Sequence, residues 1–104
     1  MAYKITKIIA FCPDDYVSDN ATLAECDAYR TYLYEALYAR FDDACIEVVA
    51  QQYTRVARIQ LDLVEDCDIA AAFHEAETIV YDFILQFWDN APWSEILQKA
   101  NPSN

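Results

Sequence analysis

The sequence predicts an α+β fold: a two-layer sandwich with two long helices on one face of a three-stranded sheet. Three observations predict it. The chain has 104 residues, 56% of them hydrophobic, which suits one domain around one core. Apolar residues alternate with period two near the N-terminus and again around Gln60, the spacing of half-buried strands. Elsewhere they recur every three or four residues, the spacing of amphipathic helices.

The first strand is expected at Tyr3 to Cys12. Tyr3, Ile5, Lys7, Ile9 and Phe11 would face one way, and Lys4, Thr6, Ile8, Ala10 and Cys12 the other. Pro13 closes the run, and a polar loop with Asp14, Asp15 and Asp19 follows. Thr22-Leu23-Ala24-Glu25 has the form of a capping box. It opens a helix to about Phe41, with Leu23, Cys26, Tyr29 or Arg30, Leu33, Leu37 and Phe41 on its apolar face. Asp42 and Asp43 end it, at the negative end of the helix dipole.

Cys45 to Ala50, rich in β-branched residues, is the second strand. Tyr53 to Val64 is the third, because Ile59 to Leu63 alternates strictly. A helical reading of Arg55 to Val64 competes, since Val56, Ile59 and Leu63 also fit one helix face. The link through Gln51 and Gln52 is short enough to make the second and third strands a hairpin. Glu65, Asp66, Cys67 and Asp68 lead into a helix from about Ile69 to Asp89, where early acids suit the dipole. Its expected inner face is Ile69, Ala72 or Phe73, Ala76, Val80, Phe83 and Phe87. Pro92 suits the first position of a short last helix, Trp93 to Lys99. The order is β-α-β-β-α plus that helix. Residues 1–100 form one domain, and 101–104 are expected to fray.

Composition excludes whole classes of function. Eighteen acids against seven bases give a net charge of −11, which repels nucleic acid and anionic membranes and attracts basic surfaces. The chain has no glycine, where a usual frequency of about 7% would supply about seven. Phosphate-cradling loops, dinucleotide fingerprints and nucleophile elbows all need glycine, so none can be written here. No apolar run approaches the ~18 residues of a membrane span, and the N-terminal apolar stretch is too short for a signal peptide. A cytoplasmic protein is expected. Cys12, Cys26, Cys45 and Cys67 show no C-x-x-C pair and read as buried thiols.

Candidate site residues fall into two sets. The acids Asp14, Asp15 and Asp19, then Asp42 and Asp43, then Glu65, Asp66 and Asp68 cluster at element ends. With antiparallel helices, the second and third clusters would share one edge of the sandwich. The aromatic and apolar set is Tyr34 and Tyr38 on helix one, off the Leu33/Leu37 stripe, and Tyr81, Leu85 and Trp88 as a second seam on helix two. Such residues are enriched where proteins meet proteins, although a thin sandwich also uses tyrosines to cover its own edges. His74, the one histidine, stands three residues before Glu77, and an H-x-x-E pair alone is too few ligands for a metal. No metal, cofactor or catalytic residue is expected, and the protein is not read as an enzyme.

In size, acidity and aromatic content the chain resembles the DNA-mimic inhibitors of phage and mobile elements, which include anti-restriction and anti-CRISPR proteins. Those share no common motif, so the resemblance carries over no residue. It implies an acidic protein-binding protein that docks on a basic, nucleic-acid-binding surface, with no direct contact to nucleic acid or membrane. The alternative is a homodimeric or subunit interaction module using the helix-two seam. An enzyme built on scattered carboxylates and His74 ranks third.

Overall fold

A computed structural model describes residues 3–13, 21–52, 54–66 and 68–101. Its elements are β1 (Tyr3–Phe11), α1 (Leu23–Arg40), β2 (Cys45–Val49), β3 (Ala57–Leu63), α2 (Ile69–Asn90) and α3 (Trp93–Ala100). They form an α+β fold whose helices pack on a mixed three-stranded sheet of order β2-β1-β3. β1 runs parallel to β2 and antiparallel to β3. The rival helical reading of the third segment is thereby settled as a strand, which begins at Ala57 rather than Tyr53; Tyr53 lies outside the described residues.

The expected β2–β3 hairpin does not form, because β1 lies between those strands. β1 has the strongest claim to the centre: Ile8, Ala10 and Cys12 are all almost fully buried, and a strand paired on both sides satisfies its backbone without water. The link from β2 to β3 instead crosses the end of β1. Phe11 N donates to Val56 O at 2.9 Å and Cys12 N to Val49 O at 2.8 Å.

The simple alternation expected for β1 fails at one point. The register with β3 passes from Ile5↔Leu61 to Lys7↔Gln60, which leaves Thr6 as the extra residue of a bulge. A bulge reverses which parity faces the core. Tyr3 and Ile5 therefore point to the helices on one side of Thr6, and Ile8 and Ala10 do so on the other. Lys4, Lys7, Arg58, Gln60 and Asp62 are left toward the open face.

α1 begins as its sequence predicts. Thr22 Oγ1 accepts from Glu25 N at 3.1 Å, and Glu25 Oε1 accepts from Thr22 N at 2.8 Å, the reciprocal bonds of a capping box. Its buried stripe is Cys26, Ala28, Tyr29, Leu33 and Leu37, with Phe41 at the C-cap. Leu23, expected on that face, is 68% exposed. Arg30 Nε donates to Cys12 O at 2.9 Å, so Arg30 is level with the end of β1. At ~1.5 Å per residue the start of α1 overhangs the sheet by about 10 Å. α3 covers part of that overhang: Trp93 stacks on Tyr29 with centroids 5.2 Å apart, and Asn101 Nδ2 donates to Glu25 Oε2 at 2.9 Å.

α2 is capped by Asp68, whose Oδ1 accepts from Ala70 N and Ala71 N. Its fully buried stripe is Ala72, Ala76, Val80 and Ile84. Phe83 and Phe87, expected innermost, sit on its flank toward α1, where they meet Phe41 and Tyr29. Ile69, also expected inside, is 56% exposed because it occupies the first turn, ahead of the residues packed on Tyr3. The cysteine expectation fails at Cys45. Its residue pairs with Lys7 on the open face and is exposed, whereas Cys12 and Cys26 are buried; Cys67 lies outside the described residues. Among the described residues no helix is long and apolar enough to cross a membrane.

Candidate functional site

The directions of the helices decide where the acids meet. α1 starts level with the end of β1, through Arg30 and Cys12, and its last residues lie beside Tyr3, Lys4 and Ile5. α2 starts beside Tyr3, where Tyr3 packs on Ala72 and Ala76, and rises past Ala57, whose carbonyl oxygen accepts from the Tyr81 hydroxyl at 3.1 Å. The helices are therefore antiparallel. Asp42 and Asp43 follow α1, and Glu65, Asp66 and Asp68 lie between β3 and α2. Both clusters fall at the end of the sandwich where β1 begins, on either side of Tyr3, which pairs with Leu63.

Asp42 and Asp43 line a groove of about 250 Å³ with Tyr3, Lys4, Ile5, Arg40, Phe41, Ala44 and Ile79. All five acids of these two clusters are exposed. Among the described residues the ion pairs are Lys7–Glu47, Arg30–Asp27 and Arg55–Glu77; Asp42, Asp43, Glu65 and Asp66 are in none of them, and Asp42 and Asp43 share their groove with Lys4 and Arg40. Asp68 is different: its carboxylate is engaged by the backbone of α2. Lys4 and Arg40 border the groove, and Arg40 lies over the Phe41 ring at 4.9 Å. Asp14, Asp15 and Asp19 lie outside the described residues.

The aromatic set is divided. Tyr34 and Tyr38 are exposed on α1 and stack on each other, with centroids 6.3 Å apart. Tyr81 belongs half to the core, its hydroxyl 3.1 Å from both Ala57 O and Glu77 Oε2. Burial first, then Glu77, raises its pKa above the usual tyrosine value. Leu85 is 49% exposed and Trp88 is 37% exposed, with Trp93 edge-on to Trp88. Tyr81, Leu85 and Trp88 occur at i, i+4 and i+7 and so share one flank of α2. The bond from Tyr81 to Ala57 places Tyr81 at the first residue of β3, and Leu85 and Trp88 stand about 6 Å and about 10 Å farther along α2, past the end of that strand.

His74 is exposed on α2. Its expected companion Glu77 is turned instead to Arg55, at 3.2 Å, and to Tyr81. Among the described residues no three His, Cys, Asp or Glu side chains gather to hold a metal ion. Local spacing does not foretell the basic character of the open sheet face, where Lys7, Ile9, Arg58, Ile59 and Gln60 line a shallow depression of about 150 Å³. Only the pairing of β1 with β3 brings Lys7 and Arg58 together.

The architecture defines a class, an α+β sandwich with one open sheet face and an acidic end. No protein-family model, curated protein or solved structure matches the chain.

Proposed function

We propose that the protein is a small acidic binding protein that docks its acidic end on a basic surface of another protein, one built to hold nucleic acid. The observation that carries this reading is the placement of Asp42, Asp43, Glu65 and Asp66 at one end of the sandwich, exposed and outside the ion pairs of the described residues. Carboxylates held this way present the charge that phosphates present to such a surface, and they steer encounter with it. The net charge of −11 adds a long-range attraction in the same sense. In this reading the protein inhibits by occupation, as DNA-mimic inhibitors of phage and mobile elements do, and performs no catalysis.

The test is capture of partners from host extract at low salt, elution in a salt gradient, and identification by mass. A variant with Asp42→Asn, Asp43→Asn, Glu65→Gln and Asp66→Asn serves as control; Asp68 is spared because it caps α2. A basic nucleic-acid-binding protein retained by the native chain, released as the Debye length shrinks from about 10 Å at 0.1 M toward about 3 Å at 1 M, and ignored by the variant is the expected result. Equal retention by both forms overturns the reading.

A second reading, an interaction module using α2, is favoured by the exposure of Leu85 and Trp88 on one flank. Leu85→Ser with Trp88→Ser would then abolish partner binding while the carboxylate variant keeps it.

A further inference from the structure

We infer that β3 is a docking edge for a second copy of this chain, pairing antiparallel with its own counterpart into a continuous six-stranded sheet. The inference does not rest on the proposed role of the acidic end.

β3 is an edge strand in the order β2-β1-β3. The bond from Phe11 N to Val56 O fixes the phase of its backbone. Val56, Arg58, Gln60 and Asp62 direct their N–H and C=O groups toward β1, so Ala57, Ile59, Leu61 and Leu63 direct theirs outward. Among the described residues, the outward group with a partner is the Ala57 carbonyl, taken by Tyr81. A row of open backbone groups on an edge is a template for another strand.

The side chains select the partner. Seven residues of β3 overlap fully with a second β3 only when Gln60 faces its own copy. In that register Ile59 bonds Leu61 of the second copy, as two outward-facing backbones require. On the open face, Arg58 falls opposite Asp62 of the second copy, and Asp62 opposite its Arg58. Directly opposed charges of opposite sign stabilise an antiparallel pair, and like charges destabilise it. The strand is thus self-complementary in its one fully overlapped register. Neither side chain forms an ion pair within the chain among the described residues.

The other edge strand lacks this property. Turning β2 onto its own copy about its centre sets Glu47 against Glu47. The β3 arrangement also separates the two acidic ends. The antiparallel two-fold puts Glu65 and Asp66 of one copy at the far end of the sheet from those of the other, which limits repulsion between two chains of charge −11.

The test is sedimentation of the full chain and of charge-swapped forms. Arg58→Asp and Asp62→Arg each turn two opposite-charge pairs into like-charge pairs, and each is expected to weaken the dimer about tenfold or more. An equimolar mixture of the two variants restores opposite charges at both pairs, so it is expected to form a heterodimer of native strength. Both positions are exposed, and circular dichroism of each single variant is the control for folding. A chain that stays monomeric at millimolar concentration overturns the proposal. So does a dimer indifferent to both swaps, or singles that do not recover on mixing. The carboxylate variant used to test the acidic end leaves Arg58 and Asp62 intact, so it is expected to dimerise normally whether or not it has lost its partner.

Discussion

The Tyr3 hydroxyl donates to Glu75 Oε1 at 2.9 Å, across 72 positions of sequence, and ties the first strand to the second long helix. Tyr3 is buried against Ala72 and Ala76 in a small cluster of its own, apart from the main core. Burial, and next the bond to Glu75, raise its pKa above the usual 10.0. A raised pKa means that the native state holds the neutral phenol more tightly than the unfolded state does. The resulting stability is fully present below pH 10 and is lost as pH rises through the native value. Tyr3→Phe is expected to cost about 1 kcal/mol at pH 7 and to reduce the decline above pH 10, as followed by urea denaturation over that range.

The capping box of α1 makes a second titration visible at the acid end. Glu25 is held below the usual carboxylate value, first by the backbone N–H of Thr22 and then by the Asn101 side chain. A lowered pKa gives stability that is present above 4.5 and lost as pH falls through the native value. Glu25→Gln is therefore expected to lower the thermal midpoint at pH 7, with the difference from the native chain closing in acid. Thr22→Ala removes the other half of the box and is expected to cost about 1 kcal/mol at neutral pH.

Leu33 and Leu23 have the same side chain and lie on the helical stripe read from the sequence, yet Leu33 is enclosed by the core and Leu23 is not. Leu33→Ala is expected to cost about 3 kcal/mol, through lost burial and the cavity left behind. Leu23→Ala is expected to stay within about 0.5 kcal/mol of the native chain. Chemical denaturation of the pair measures the overhang of α1 directly, and equal losses would contradict it.

The bulge at Thr6 is a further point of leverage. Deleting Thr6 makes β1 regular and sets Tyr3, Ile5, Ile8 and Ala10 in one alternating phase on the core face. Because each of those side chains keeps its face, the deletion is expected to cost less than Tyr3→Phe, as measured by urea denaturation. A loss of more than about 1 kcal/mol would show that the bulge itself, with the bond from the Thr6 hydroxyl to Gln60 O, holds the segment in place.

Much of the fold was legible in local pattern. The capping box at Thr22 and Glu25 needs only residues three apart, and the structure contains both of its bonds. The inner stripe of α2 was read within one position of its centre, which runs along Ala72, Ala76, Val80 and Ile84. The candidate site was less legible. The sequence marked Asp42, Asp43, Glu65, Asp66 and Asp68 as clusters at element ends, but it offered no means of separating Asp68, spent on capping α2, from acids left to the solvent. Tyr81, grouped by spacing with Leu85 and Trp88, differs from them because its hydroxyl reaches Ala57 and Glu77.

By itself the sequence determined the type and order of the six elements, their approximate bounds, the charge and the absence of any glycine-built loop. Each depends on residues within a few positions of one another. Tertiary structure alone decided that β1 takes the centre of the sheet, that Thr6 bulges, that Leu23 and Ile69 lie outside the core, and that Arg58 and Asp62 share an open edge. Those outcomes depend on pairing between segments some fifty residues apart. The backbone hydrogen bonds that fix such pairing are common to every residue type except proline, so the side-chain pattern does not encode which strand will accept them.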